Sequence, residues 1–76
     1  MPDVPVVRSR EVIAALRKFG FEVDHQTGSH CVLKKAGHLY LVTVPIHAGK
    51  DVKKGTLRNI IAAAGVSIEE FTAALR

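Results

Sequence analysis

Phe21-Glu22-Val23-Asp24-His25-Gln26-Thr27-Gly28-Ser29-His30-Cys31-Val32-Leu33 is the stretch on which the fold turns. Phe21 to His25 alternate apolar and polar, the pattern of a half-buried strand. Thr27-Gly28 breaks that pattern, as a tight turn does. His30-Cys31-Val32-Leu33 resumes as a second strand, and Lys34-Lys35-Ala36-Gly37 closes it. Downstream, Leu39-Tyr40-Leu41-Val42-Thr43-Val44 is rich in β-branched and aromatic residues and predicts a third strand. Pro45 is expected to end it, because proline cannot donate to a central ladder. The short connections predict an antiparallel meander.

Helical patterns flank this segment. Upstream, Ser9 reads as an N-cap and Glu11 as a first-turn acid. Val12, Ile13, Leu16 and Phe19 form one apolar stripe, so a helix is expected over 10–19 with Gly20 at its C-terminal end. Residues 1–8, with Pro2 and Pro5, disfavour a helix; Val4, Val6 and Val7 suit an extended arm docked on the core. Downstream, Ile46-His47-Ala48-Gly49-Lys50 is a loop. Asp51 or Thr56 is expected to cap a second helix carrying Leu57, Ile60, Ile61 and Ala64 on one face, with Gly65 at its end. Ser67-Ile68-Glu69-Glu70 has the form of a capping box, with Val66 and Phe71 as its hydrophobic staple. A short third helix then presents Phe71 and Leu75 inward.

The order is α-β-β-β-α plus a short C-terminal helix. That is a two-layer α+β domain, a three-stranded antiparallel sheet with helices on one face. The other face is open. Strands two and three are apolar on both parities, Cys31 and Leu33 as well as Val32, Leu39 and Leu41 as well as Tyr40 and Val42. One helix layer covers one parity. The remainder predicts a partner or self-association face, unless the N-terminal arm covers it. Strict alternation puts His30 with Val32. If Val32 is core, His30 must reach solvent from the very start of its strand.

A chain of 76 residues is read as a single domain, 1–76. At this size it buries only about 60% of its unfolded surface. Its composition, 47% hydrophobic and 24% charged, is that of a globular protein. The lone cysteine, Cys31, allows no internal disulfide and fits a reducing cytosol. No apolar run is long enough to span a bilayer, and Met1-Pro2-Asp3-Val4-Pro5 lacks the regions of a signal peptide. The expected location is therefore cytoplasmic, with no membrane partner. The net charge is +4, but its placement matters more. Between His25 and Val66, Lys34, Lys35, Lys50, Lys53, Lys54 and Arg58 face a single acid, Asp51, so this segment alone carries +5. A one-sided basic segment suits a polyanion such as RNA, though a solvated lysine-rich surface gives the same pattern.

Among four histidines, His30 stands out because it ends the hairpin tip beside the basic segment. Read from spacing alone, it is equally an ordinary strand histidine after a turn. The family resemblance carried by the motifs that follow implies metal-independent RNA cleavage, which uses the ribose 2′-hydroxyl and needs a base, an acid and cations around the phosphate. Histidine can supply either proton role near neutrality. His30 is the candidate catalytic residue. Gly28 would let backbone approach the phosphodiester, and Ser29 could hydrogen-bond it. Lys34, Lys50, Lys53, Lys54 and Arg58 are candidate phosphate ligands, the later ones near the start of the second helix where its dipole favours an anion. His47 is a second proton-transfer candidate, or else a loop-bracing side chain. His38 is expected to be solvated in its turn, and His25 to sit on the strand surface. The histidines lack ligand-like spacing, Cys31 has no cysteine partner, and no glycine-rich nucleotide loop is present, so neither metal nor cofactor is expected. Cys31, among valine and leucine, reads as core filler.

Gly20-Phe21, Gly28-Ser29-His30, Val44-Pro45-Ile46-His47-Ala48-Gly49-Lys50, Lys54-Gly55-Thr56-Leu57-Arg58-Asn59-Ile60 and Ala64-Gly65-Val66-Ser67, in this order and spacing, resemble the HicA toxin family. The resemblance spans roughly residues 9–75. It implies a double-stranded-RNA-binding-like fold and a ribosome-independent mRNA interferase paired with a HicB antitoxin. It also implies that the histidine of the Gly-Ser-His motif, here His30, is the functional one. The chain departs from the family's habit in having Cys31 after that histidine and a more apolar third strand. The expectation is an endoribonuclease toxin acting on mRNA, restrained by a HicB-type antitoxin that covers His30 and the open sheet face. A non-catalytic RNA-binding module and a pure protein-interaction domain are the alternatives. The first predicts salt-sensitive RNA binding without cleavage. The second predicts that neutralising the lysines changes nothing.

Overall fold

The computed structural model describes residues 3–76; Met1 and Pro2, the first residues of the expected arm, lie outside it. The elements run α1 (Ser9–Lys18), β1 (Glu22–Gln26), β2 (His30–Lys34), β3 (Val42–Pro45), α2 (Lys54–Ala64) and α3 (Ile68–Ala74). The three strands form one antiparallel sheet in the order β1-β2-β3. All three helices lie to one side, so the architecture is the expected two-layer α+β arrangement.

The parity question resolves toward Cys31. Cys31 and Leu33 on β2, and Val42 and Val44 on β3, are fully buried and meet Val12, Leu16, Leu57 and Phe71 in one core. Val32 is only half-buried and shares the open face with His30. His30 therefore needs no special escape, because the strand's own alternation turns it to solvent. Burial also pushes the Cys31 thiol up from its ordinary value, as expected for a core filler.

Strand boundaries differ from expectation in two places. The first strand is not half-buried. Every residue of β1 is exposed, and the buried Phe21 sits just before it. The helices pack over β3 and leave β1 overhanging, so Val23, although paired with the buried Leu33, stays exposed. A bulge at Asp24 separates the Val23–Leu33 and His25–Val32 pairs. The third strand starts at Val42, not Leu39. Leu39, Tyr40 and Leu41 are 83%, 67% and 56% exposed in the connection before it. The strand ends at Pro45 as expected, with the proline as its last residue, opposite His30. The Ile46 amide donates to the Ser29 carbonyl at 2.8 Å, so the neighbouring His30–Pro45 pair falls at a non-hydrogen-bonded position. An edge strand tolerates proline there, since no ladder bond is lost.

Helix caps also needed tertiary information. Ser9 is not the cap of α1 but its first residue, and is buried; Arg8 caps instead, its amide donating to Glu11 Oε1 at 2.9 Å. Neither Asp51 nor Thr56 caps α2. Asp51 is held by Arg8, whose Nε donates to Oδ1 at 3.2 Å, and Lys53 stands at the cap with no side-chain acceptor. Gly65, with φ of +76°, closes α2 in the left-handed conformation. The α3 box forms as read: Ser67 Oγ accepts the Glu70 amide at 3.0 Å, and Glu70 Oε1 accepts the Ser67 amide at 2.9 Å. Val66 packs against the core beside the fully buried Phe71. The arm docks beside α2, with Val4 and Val7 buried and the Val52 amide donating to the Val7 carbonyl at 2.8 Å. Its described residues, 3–8, dock on the helix side and leave the open sheet face uncovered.

His38 is not simply solvated. Its Nε2 donates to the Ala63 carbonyl at 2.7 Å, near the end of α2, and its ring meets Phe21 edge-on at 5.2 Å. It pins the β2–β3 connection to α2.

Candidate nucleic-acid interface

The hairpin tip is built by Thr27. Its Oγ1 accepts the His30 amide at 3.1 Å and the Ser29 amide at 3.4 Å, while its own amide donates to the His30 carbonyl at 2.9 Å. A Thr side chain bonding the backbone two and three residues on is a local turn device. It fixes the direction in which His30 leaves the sheet. In sequence Thr27 marks only the break of the strand; the hydroxyl just before Gly28 is the signal of this further role.

His30 is exposed, and Ser29 Oγ lies 3.0 Å from its Nδ1. That contact uses one ring nitrogen and leaves Nε2 without a hydrogen-bond partner among the described residues. Gly28 has no positive φ, and a Cβ there would meet nothing within 4 Å. The fold does not require glycine at this position, and open space lies over it.

Pro45, the cross-strand partner of His30, lines a groove of about 370 Å³ with Ser9, His47, Lys50, Asp51, Val52, Lys53 and Thr56. The groove runs between the end of β3 and the starts of α1 and α2. His47 is exposed and follows Pro45 by two residues. The first amides of α2 have no side-chain cap and no acid in the first turn, so the positive end of its dipole is left unanswered. His47 also lines a second groove with Arg8, Arg10 and Gly49. Arg10 lies outside the basic segment between His25 and Val66 and is not among the cations expected from sequence. Nothing in its local sequence marks it, because the folding of α1 against the 46–50 loop brings it there.

The candidate cations divide into two groups. Among the described residues Arg10, Lys50 and Lys53 form no ion pair. The other three are engaged. Lys34 lies on the open face with His30 but pairs with Asp24 at 3.3 Å; Asp24, also bonded by His25 at 2.8 Å, is held below the usual carboxylate range chiefly by His25 and then by Lys34. Lys54 and Arg58 both bind Asp3 at 2.8 Å. Thr56 is about 200° round the helix from Lys54, so these two cations flank α2 on the side away from the groove. The basic segment is thus contiguous in sequence but split by α2 in space. No cluster of three metal-ligating side chains occurs among the described residues.

The family model for the HicA toxin of bacterial toxin–antitoxin systems matches residues 9–66, most of the chain. The chain belongs to the HicA toxin family. It is thereby a toxin of a toxin–antitoxin pair, and the Gly28-Ser29-His30 tip, the His47 loop and the start of α2 all fall inside the matched HicA region. A comparison with curated proteins found no match to it. No helix among the described residues is long and apolar enough to cross a membrane.

Proposed function

We propose that this HicA-family chain is a metal-independent endoribonuclease acting on mRNA in the cytoplasm, with His30 in proton transfer. The observation that carries the reading is the placement of His30. It is exposed at the hairpin tip, its Nδ1 is engaged by Ser29, its Nε2 forms no hydrogen bond among the described residues, and open space lies over Gly28 two residues before it. With Nδ1–H donated to Ser29 Oγ, Nε2 presents a lone pair and can act as base; in the protonated ring Nε2–H can act as acid. In the base role it takes the 2′-hydroxyl proton as the 2′-oxygen bonds to phosphorus. The bond from phosphorus to the 5′-oxygen then breaks, and an acid protonates the leaving oxygen. His47, which lines a groove with Pro45, the cross-strand partner of His30, is the candidate for that second role. Lys50, Lys53 and the first amides of α2 offer positive charge to the phosphate, with Gly28 and Ser29 approaching it from the hairpin. Lys34, Lys54 and Arg58 extend the contact along the RNA backbone.

The partner in this reading is a HicB-type antitoxin that covers His30 and the open sheet face. Support comes from His25, His30, Val32 and Thr43 on the open face, and from the exposed Leu39-Tyr40-Leu41. The same apolar surface would otherwise favour weak self-association.

The test uses purified protein and an RNA substrate, comparing wild type with His30→Ala and, separately, an RNA in which every 2′-hydroxyl is replaced by hydrogen. Wild type should cut RNA, leave 2′,3′-cyclic phosphate ends and spare the deoxy substrate. His30→Ala should fold, bind and not cut. Cleavage by the alanine variant at the wild-type rate would remove His30 from the mechanism. RNA binding without any cleavage by wild type would instead favour a non-catalytic RNA-binding module.

A further inference from the structure

The carboxylate of Asp3 reaches across to the outer flank of α2 and takes two cations at once. Lys54 Nζ binds its Oδ2 and Arg58 Nη2 binds its Oδ1, each at 2.8 Å. Lys54 and Arg58 are one helical turn apart, so their heads converge on a single oxyanion with two outward oxygens. A phosphodiester presents two such oxygens at nearly the same separation, and Lys and Arg are the side chains that commonly bind it. The Lys54 contact, with the Val4 amide that also donates to Oδ1, holds the Asp3 carboxyl below its ordinary range.

This arrangement is open to exchange. Lys54, Arg58 and Asp3 are each about half exposed, and exposed ion pairs are weak. The arm's anchorage lies elsewhere, in the buried Val4 and Val7 and in the bond from Val52 to Val7. Asp3 can therefore leave its cations while the arm remains docked. Val4 and Val7 pin the arm beside α2, so the carboxylate is held at a high local concentration next to the two cations.

We propose that Lys54 and Arg58 form a backbone-phosphate subsite on the far flank of α2, and that Asp3 is its intramolecular occupant. RNA engages this subsite by displacing Asp3, so the arm sets a threshold on RNA affinity. The proposal rests on the reading that the basic segment binds RNA. It adds a second phosphate contact, separated from the groove at His47 by the width of α2.

The experiment measures fluorescence anisotropy of a short labelled 2′-O-methyl RNA, which the 2′-hydroxyl mechanism cannot cut. The proteins are wild type, Asp3→Asn, the double variant Lys54→Gln/Arg58→Gln, the triple variant, and Glu69→Gln as a control with the same charge change elsewhere. Thermal unfolding confirms that each is folded. Asp3→Asn should tighten binding about three- to tenfold, the range two exposed ion pairs support. The same substitution should do nothing once Lys54 and Arg58 are neutralised. If Asp3→Asn tightens binding no more than Glu69→Gln, or tightens it equally without the two cations, the competitor role is overturned while RNA binding stands. If no variant binds the RNA, the RNA reading fails and the subsite with it.

Discussion

Gly28→Ala separates a glycine kept for the fold from one kept for a ligand. Gly28 has no positive φ, and its added Cβ meets nothing within 4 Å. The folded chain accepts alanine there without strain. The unfolded chain loses freedom, which favours folding by about 0.4–1 kcal/mol. For a domain of this size that raises the melting temperature by about 2–8 °C. Gly65 is the internal contrast. Its φ is +76°, so alanine is forced into the left-handed region and should cost about 1–2 kcal/mol. The assay is thermal unfolding by circular dichroism on both variants, followed by RNA cleavage. Gly65→Ala should melt lower and, below its transition, cut RNA normally. Gly28→Ala should melt at or above wild type yet lose cleavage, because the methyl group fills the space a phosphodiester needs over the hairpin tip. A Gly28→Ala protein that melts well below wild type would refute the backbone argument. One that melts higher and cuts normally would refute close approach at Gly28.

Replacing Lys50 and Lys53 with Gln should weaken RNA binding and lower the slope of log affinity against log salt by about 1.4, two phosphate contacts' worth for a single strand; an unchanged slope removes them from the interface. His38→Ala should cost about 1–2 kcal/mol, since it removes both the bond to the Ala63 carbonyl and the edge contact with Phe21; a urea titration with an unchanged midpoint would contradict that pinning role. The box at α3 gives a pH effect with a defined sign. Ser67, through its amide and then its hydroxyl, holds Glu70 below its ordinary value of 4.5, so its stabilisation is present above that pH and is lost as pH falls through the lower folded value. Melting temperature should therefore drop as pH is taken below about 4.5, and Glu70→Gln should make that drop shallower; an identical decline in both proteins would exclude Glu70.

Much of the site was legible because its determinants are local. The Thr27-Gly28-Ser29-His30 tip is a run of turn residues between two apolar runs, and it folds as the hairpin tip that pattern requires. The Ser67–Glu70 box depends on four consecutive residues, and it forms as read. Longer-range features were not legible. Asp51 looked like a helix cap, but Arg8, forty-three residues away, takes its carboxylate. Lys54 and Arg58 looked like free cations, but Asp3 meets them only once the arm has docked. Arg10 lies outside the basic segment, and the 46–50 loop makes it part of a groove with His47.

The amino-acid sequence by itself determined the order of elements, the two-layer class and the position of His30 at a hairpin tip. Periodicity and turn residues act over a few residues, and no distant contact overrides them in setting that order. It could not choose the buried parity of β2, because Cys31, Val32 and Leu33 are all apolar. Tertiary packing chose it. The helices cover one side of β2 and β3 only, and the register that buries Cys31 and Leu33 against Leu16, Leu57 and Phe71 leaves Val32 and His30 together on the open face. The same packing stops short of β1 and of Leu39-Tyr40-Leu41. It thus decided which apolar residues remain exposed and that His30 faces solvent.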